Sequence, residues 1–351
     1  MKKLTSTVKS RGYYIVVIIA AIICLALIEK NLRGFYLGIF LLFGINAIIC
    51  LGVTITNGYA NIFSLGFGGI MLVSAYVSSW FTLPVQYKSS FLKLPEWLEM
   101  IQLPFPLALL LGAIAAVLVS ITLVLPAFRL KGHYFILASM GINIVMANLA
   151  VNLRYFTNGP FGIRNIPFTT NVWWVFGILF LTVLFMWRFT RSKFGRAVIT
   201  LGKDQTLAST MGIDIVRYKI YAFAIGSFIV GLAGPLWVHY IGSMHPHVFT
   251  LVFVFQIIAM LVIGSFGTIS GAILGAGIIT MFTHLARPVQ EGFNIFSFQV
   301  PPLIGLIQIL MAIMIILVLI YKPEGLLGKK EITGQSLQSL WLKIRGKKDE
   351  A

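Results

Sequence analysis

The side chains able to do chemistry are few, and they sit inside apolar runs. Asn46, Asn143, Asn148, Asn152 and Gln256 are the clearest polar groups within stretches suited to a bilayer. An amide in hydrocarbon is expensive, so each must turn into a bundle interior. There it either bonds a neighbouring helix or faces a solute path, and interhelical bonding is the favoured reading. Asn46, Asn143 and Gln256, with Ser64, are kept as candidates for a translocation pathway. His239, His245 and His247 fall within nine residues and have metal-ligand chemistry. No carboxylate stands beside them, so a histidine-bearing loop at a membrane edge is favoured. Cys24 and Cys50 lie in apolar runs and read as buried small hydrophobes rather than a disulfide. No Ser/His/Asp set, phosphate-cradling glycine loop or dinucleotide fingerprint is present, so no catalytic residue, cofactor or metal is expected.

No span carries a convincing Asp, Glu, Lys or Arg near its centre, which argues against proton coupling or voltage sensing. Energy for uphill transport must then come from outside the chain.

The elements that hold these groups are membrane helices. The chain has 351 residues, of which 58% are hydrophobic and 11% charged, with a mean hydropathy of +0.94. Soluble domains carry about 25% charged residues, so a soluble fold is excluded. The net charge is +17, but the cations do not form a nucleic-acid-binding face. They cluster near the N-terminus, between residues 188 and 219, and beyond Lys322. That is the distribution of a polytopic membrane protein with its basic loops inside.

Roughly 20 apolar residues cross a bilayer of about 30 Å. Spans are expected near 13–29, 35–54, 62–83, 105–128, 133–152, 172–187 and 219–241. The apolar run 251–286 is too long for one span and contains Gly264-Ser265-Phe266-Gly267-Thr268-Ile269-Ser270-Gly271. It is divided at that polar, glycine-rich point into 251–264 and 271–286, and a last span covers 302–321. Ten spans place Lys2, Lys3, Lys9, Arg11, Arg129, Lys131, the 188–219 loop and the basic tail together in the cytoplasm. Arg154 and Arg164 on the outer side are a mild violation. The expected fold is an all-α polytopic helical bundle with both termini cytoplasmic.

The run Asn57-Gly58-Tyr59-Ala60-Asn61, continuing to Gly69, is a poor helix former. A broken helix lining a pathway fits it, and so does close helix packing through small residues. Gly231-Leu232-Ala233-Gly234 and Gly271-Ala272-Ile273-Leu274-Gly275-Ala276-Gly277 suit packing better. Pro235 would kink its helix beside them.

Residues 188–219 are the one long basic interruption between two spans. Ala197, Leu201, Ala208, Met211 and Ile213 recur at near-helical spacing, and Gly195 and Gly212 bracket the segment. One or two short amphipathic helices are expected there, resting on headgroups or docking into a partner.

This stretch resembles the coupling loop of bacterial ABC-importer permeases, and specifically the branched-chain amino acid permease family of the LivM type. The likeness runs through Phe194-Gly195-Arg196-Ala197, Met211-Gly212-Ile213-Asp214 and Gly231-Leu232-Ala233-Gly234. It continues through the 264–271 motif and Pro323-Glu324-Gly325-Leu326-Leu327-Gly328. Upstream, Ser64-Leu65-Gly66, Arg129-Leu130-Lys131-Gly132-His133 and Thr157-Asn158-Gly159-Pro160 also match. Where the family usually shows Glu-x-Ala-Ala, this chain has Gln205-Thr206-Leu207-Ala208.

The resemblance implies a permease domain at 1–328, a basic cytoplasmic tail at 329–351 and a chain without catalysis of its own. It further implies a second permease subunit, two ATP-binding subunits and an extracytoplasmic solute-binding protein as partners. Gly195, Lys203, Asp204, Gln205, Leu207, Ala208 and Gly212 would couple to the ATPases. The implied cargo is a branched-chain amino acid. Urea, short amides, sugars or nucleosides are alternatives within the class, and an ATP-independent small-solute channel is the alternative outside it.

Overall fold

The computed structural model describes Glu29, residues 34–92, 94–124, 126–130, 133–291, 294–295, 298–299, 302–303, 305–328 and Glu331. The expected first span at 13–29, Cys24 and nearly all of the tail at 329–351 lie outside the described residues.

Among the described residues, six helices are long and apolar enough to cross a membrane, and three shorter apolar helices accompany them. In chain order the helices used below are α1 (Phe35–Val53), α2 (Phe67–Thr82), α3 (Phe105–Val124), α4 (His133–Asn152) and α5 (Val172–Arg191). They continue as α6 (Lys193–Lys203), α7 (Gln205–Thr210), α8 (Ile215–Ile241), α9 (Leu251–Gly264), α10 (Ile269–Glu291) and α11 (Leu306–Tyr321). The chain is a helical, multi-pass membrane protein. Among the described residues the only strands are Asn294–Ile295 and Phe298–Gln299, a two-residue antiparallel pair.

Lipid gives helices no hydrophobic reason to associate, so close approach of backbones must do it. The centre of the bundle is α8, packed on α1, α2 and α3. Gly52 of α1 and Gly226 of α8 face each other, and a Cβ on either would come within 3 Å of the other's carbonyl oxygen. Gly231 rests on Ala113 and Ala116 of α3, and Gly234 on Met71 and Ser74 of α2. The glycines assigned to packing are packing positions. On the other side, α9 and α10 form a hairpin whose Gly275 abuts the Met260 carbonyl, and α10 lies along α1.

The 251–286 run does break, between Gly264 and Ile269. Ser265 has φ 151° and Gly267 φ 81° there. The helix before the break, Leu251–Gly264, has the expected bounds, whereas the one after it starts two residues earlier than expected, at Ile269. α10 runs on to Glu291, five residues beyond the expected end of its span.

The second irregularity is where the glycine-rich run predicts one. α1 passes into a π-helical turn over Thr54–Tyr59, and residues 60–66 are not helical. Side chains receive the backbone groups this frees, as burial in a membrane protein demands. Asn57 Oδ1 accepts from Ser64 N–H (3.2 Å), and its Nδ2 donates to Ser64 O (3.3 Å). Leu65 N–H donates to Ser139 Oγ of α4 at 2.9 Å.

Candidate functional site

At one end of the bundle the 188–219 segment is shorter than expected, because α5 and α8 absorb its edges. What remains is a capped helix pair. Ser192 Oγ accepts from Gly195 N–H at 2.9 Å and starts α6. Gly195, Val198 and Leu201 form its buried face. Asp204 breaks the helix with extended backbone, and its carboxylate accepts from Thr206 N–H (2.8 Å) and Leu207 N–H (3.1 Å), so it is the N-cap of α7. Gly212 closes α7 in the left-handed region at φ 77°. Its N–H reaches Ser209 O while Ile213 N–H reaches Ala208 O, both at 3.0 Å, a Schellman motif. Asp214 then caps α8 at Arg217 N–H.

Lys203, Asp204, Gln205, Leu207 and Gly212 are exposed, whereas Gly195 and Ala208 are buried. Leu207 and Met211 stand out as apolar groups, 51% and 68% exposed at the tip. Lys219 Nζ donates to Gln205 Oε1 at 3.4 Å, tying the start of α7 to α8.

This pair is seated on the irregular turn of α1. A Cβ on Gly202 would collide with the Tyr59 carbonyl. Next to it, a Cβ on Gly58 would lie 2.7 Å from Gly267 N, in the break between α9 and α10. The same break receives the end of the chain. Leu326 N–H donates to Ile263 O (2.9 Å), Ser265 Oγ donates to Gly328 O (2.7 Å), and Ile269 N–H donates to the Glu331 carboxylate (2.7 Å). Four segments remote in sequence therefore meet in backbone-to-backbone contact.

Toward the opposite end, α1, α8, α9, α10 and α11 line an open cavity of about 470 Å³. Asn46 and Gln256 line it together, with Thr283, His284, Arg287 and Gln290 of α10. Its apolar wall includes Leu42, Trp237, Phe253 and Ile307. Asn46 Nδ2 donates to Thr280 Oγ1 at 2.8 Å.

Residues 35–319 match the family described as the branched-chain amino acid transport system permease component. The chain belongs to that family. The high-affinity branched-chain amino acid transport system permease protein LivM of Escherichia coli is 25% identical across 92% of this chain and 76% of its own length. A probable LivM permease of Methanocaldococcus jannaschii is 26% identical across 69% of this chain and 73% of its own. The LivH permease of Salmonella typhimurium is 23% identical across 82% and 92%. No solved structure matches.

In this member of the family, Ser64 and Asn143 are not brought to the cavity with Asn46 and Gln256. Ser64 belongs to the Asn57 bridge. Asn143 accepts from Gly69 N–H and donates to Phe249 O at 3.4 Å, holding α4 to the start of α2 and to the turn before α9. The three histidines separate as well. His239 is buried in α8, its ring nitrogens 2.8 Å from Thr82 Oγ1 and from Pro235 O. Among the described residues no group of acidic, His and Cys side chains could hold a metal. Cys50 is buried and free, its sulfur 3.6 Å from that of Met260.

Two residues escaped the sequence reading. Gly202 is seven positions from Gly195, hence on the same face of α6, and that spacing was the available signal. Arg287 lies one position past the expected end of its span at 286, and nothing in the local pattern singles it out.

Proposed function

We propose that the chain is one of two permease subunits of an ABC importer that carries branched-chain amino acids across the cytoplasmic membrane. The observation that carries this reading is the family match across residues 35–319, which takes in both the α6–α7 pair and the helices around the cavity. The partners are a second permease, two ATP-binding subunits that hydrolyse the nucleotide, and an extracytoplasmic solute-binding protein. The chain contributes no catalytic residue.

The nine apolar helices, with the expected span at 13–29, make ten crossings. An even count puts both termini on the side of the basic loops, the cytoplasm. On this reading 1–328 is the permease domain, 329–351 a cytoplasmic tail, and α6–α7 faces the ATPases. Lys203, Asp204, Gln205, Leu207 and Gly212 meet them, while Gly195 and Ala208 seat the pair. Leu207 and Met211 are the apolar anchors a docking cleft would bury.

Motion imposed on that tip passes along incompressible contacts. α6 bears on Tyr59 through Gly202, and Gly58 bears on Gly267. Gly267 lies in the break between the two helices that bring Gln256 and Arg287 to the cavity. A push at the cytoplasmic end is thereby converted to a tilt of α9 and α10 about their break, opening one end of the path as the other closes. A self-sufficient channel would leave the exposed apolar tip of α6–α7 without a task.

The test is uptake of labelled L-leucine, L-valine, urea and ribose by cells that produce the chain with the subunits encoded beside it. The reading expects ATP-dependent leucine and valine uptake that is lost when the ATP-binding subunits are omitted. Uptake of urea or ribose alone would replace the cargo, and uptake independent of the ATPases would replace the mechanism.

A further inference from the structure

The face of α10 that looks into the cavity is polar in helical register: Thr283, His284, Arg287 and Gln290 lie at i, i+1, i+4 and i+7. Arg287 stands in the last turns of α10 and is exposed, so its guanidinium can be reached by a solute at that end of the bundle. Pro288 adds to the polarity of this wall. It has no N–H to give the carbonyl four residues back, which leaves His284 O outside the helical ladder. Facing this strip is an aromatic and aliphatic wall of Trp237, Phe253, Leu42 and Ile307. No carboxylate is among the described residues that line the space. A volume of about 470 Å³ falls in the roughly 300–1,000 Å³ range of small-molecule sites.

We infer that this cavity is a binding site within the subunit for a small apolar α-amino acid in zwitterionic form. The guanidinium of Arg287 holds the carboxylate, and the amide oxygens of Asn46 and Gln256 take the ammonium. The Trp237–Phe253–Ile307 wall takes the aliphatic side chain. This inference rests on the importer reading for its cargo, and adds where the cargo sits. A guanidinium offers five N–H donors in a planar fork that fits a carboxylate bidentately, with donors to spare for contacts inside the protein. Asn46 spends its Nδ2 on Thr280 Oγ1, which commits the amide and leaves its oxygen as the acceptor. Gln256 makes no hydrogen bond among the described residues, so its amide is available to a ligand.

The experiment uses the full chain in membrane vesicles with Val248, which also lines the cavity, changed to cysteine; the parent chain supplies the background. A thiol reagent is applied with tens of millimolar L-leucine, 4-methylpentanoate (leucine without its ammonium) or isoamylamine (leucine without its carboxylate). Leucine is expected to slow labelling, 4-methylpentanoate to slow it less, and isoamylamine to have no effect. Adding Arg287→Gln should still let the cysteine label to the same final extent without solute, which reports a folded cavity. It should raise the leucine concentration needed for protection by roughly ten-fold or more, the worth of a charged hydrogen-bonded pair. Absence of protection by leucine, or protection undiminished in Arg287→Gln, overturns the site. So does labelling that responds to added anionic lipid and not to leucine, which would give Arg287 to a headgroup. ATP-driven leucine uptake by the assembled importer is measured in parallel. Uptake without protection sinks the cavity and leaves the function standing, whereas protection without uptake does the reverse.

Discussion

Gly202 of α6 sits flush against the backbone carbonyl of Tyr59, so that no side chain can stand between the two segments. The contact joins the exposed α6–α7 pair to the π-helical turn that ends α1. Enlarging Gly202 should therefore lift the pair from its seat. Gly202→Val is expected to lower ATP-driven uptake at least about ten-fold and to destabilise the chain by roughly 1–3 kcal/mol, as overpacking does. Thermal melts of the purified complex alongside uptake check both. Wild-type uptake in Gly202→Val would show that the contact transmits nothing.

Gly212 tests conformation without sterics, because nothing lies within 4 Å of where its Cβ would be. Its φ of 77° is left-handed. Gly212→Val should destabilise the Schellman closure by roughly 1–2 kcal/mol, and Gly212→Asn, which tolerates that region, much less. Limited proteolysis between residues 203 and 214 reads the difference.

Asp204 has been given two tasks. As the N-cap of α7 it should tolerate Asn and not Ala: Asp204→Ala loses about 0.5–2 kcal/mol of helix stability, while Asp204→Asn keeps the bonds. Should the ATPase need the charge itself, uptake would fall in both variants while protease resistance fell only in the first. Measuring the two together separates cap from contact.

At the other end, Lys88 lies on the short helix Val85–Phe91, fully buried, with Nζ donating to Leu98 O (3.2 Å) and Ile101 O (2.6 Å). Burial lowers the pKa of its ammonium below the ordinary lysine value, and the nearby Glu99 opposes that in part. With the folded value lowered, the unfolded chain holds the proton more tightly. Stability should thus rise with pH between the folded value and about 10.5, the ordinary one. Lys88→Met should abolish that slope and leave two carbonyls unpaired, at a loss of roughly 1–3 kcal/mol. Melts of wild type and variant across the alkaline range decide it.

Asn143 should behave as a structural bond rather than a pathway group. Asn143→Leu strips the partners from Gly69 N–H and Phe249 O and should lower stability by roughly 1–3 kcal/mol. Uptake per folded molecule should stay near wild type. A changed solute preference in the folded fraction would return it to the pathway.

Much of this arrangement was legible in the residues. The helical membrane architecture follows from apolar length, and His133–Asn152 and Leu251–Gly264 fall where hydropathy puts them. The break at Ser265–Thr268 was readable because glycine and hydroxyl residues interrupt an apolar run too long for one span. The partners of the buried amides were not readable. Asn46 and Asn143 are alike in sequence context, yet one meets a cavity and the other a backbone N–H 74 residues away. Tertiary geometry alone separates them. Arg287 was hidden by a boundary, since hydropathy ends a span at the first charge while the helix continues for another turn.

The most direct test of the central claim is the dependence of transport on the α6–α7 tip. The chain is purified with its neighbouring subunits, as wild type and as the double variant Leu207→Asp, Met211→Asp, and L-leucine uptake into ATP-loaded proteoliposomes is measured. The account predicts ATPases that co-purify and ATP-dependent uptake in the wild type, and loss of both in the variant with the permease still folded. Leucine uptake that needs no ATP, or that survives in the variant at the wild-type rate, would contradict it.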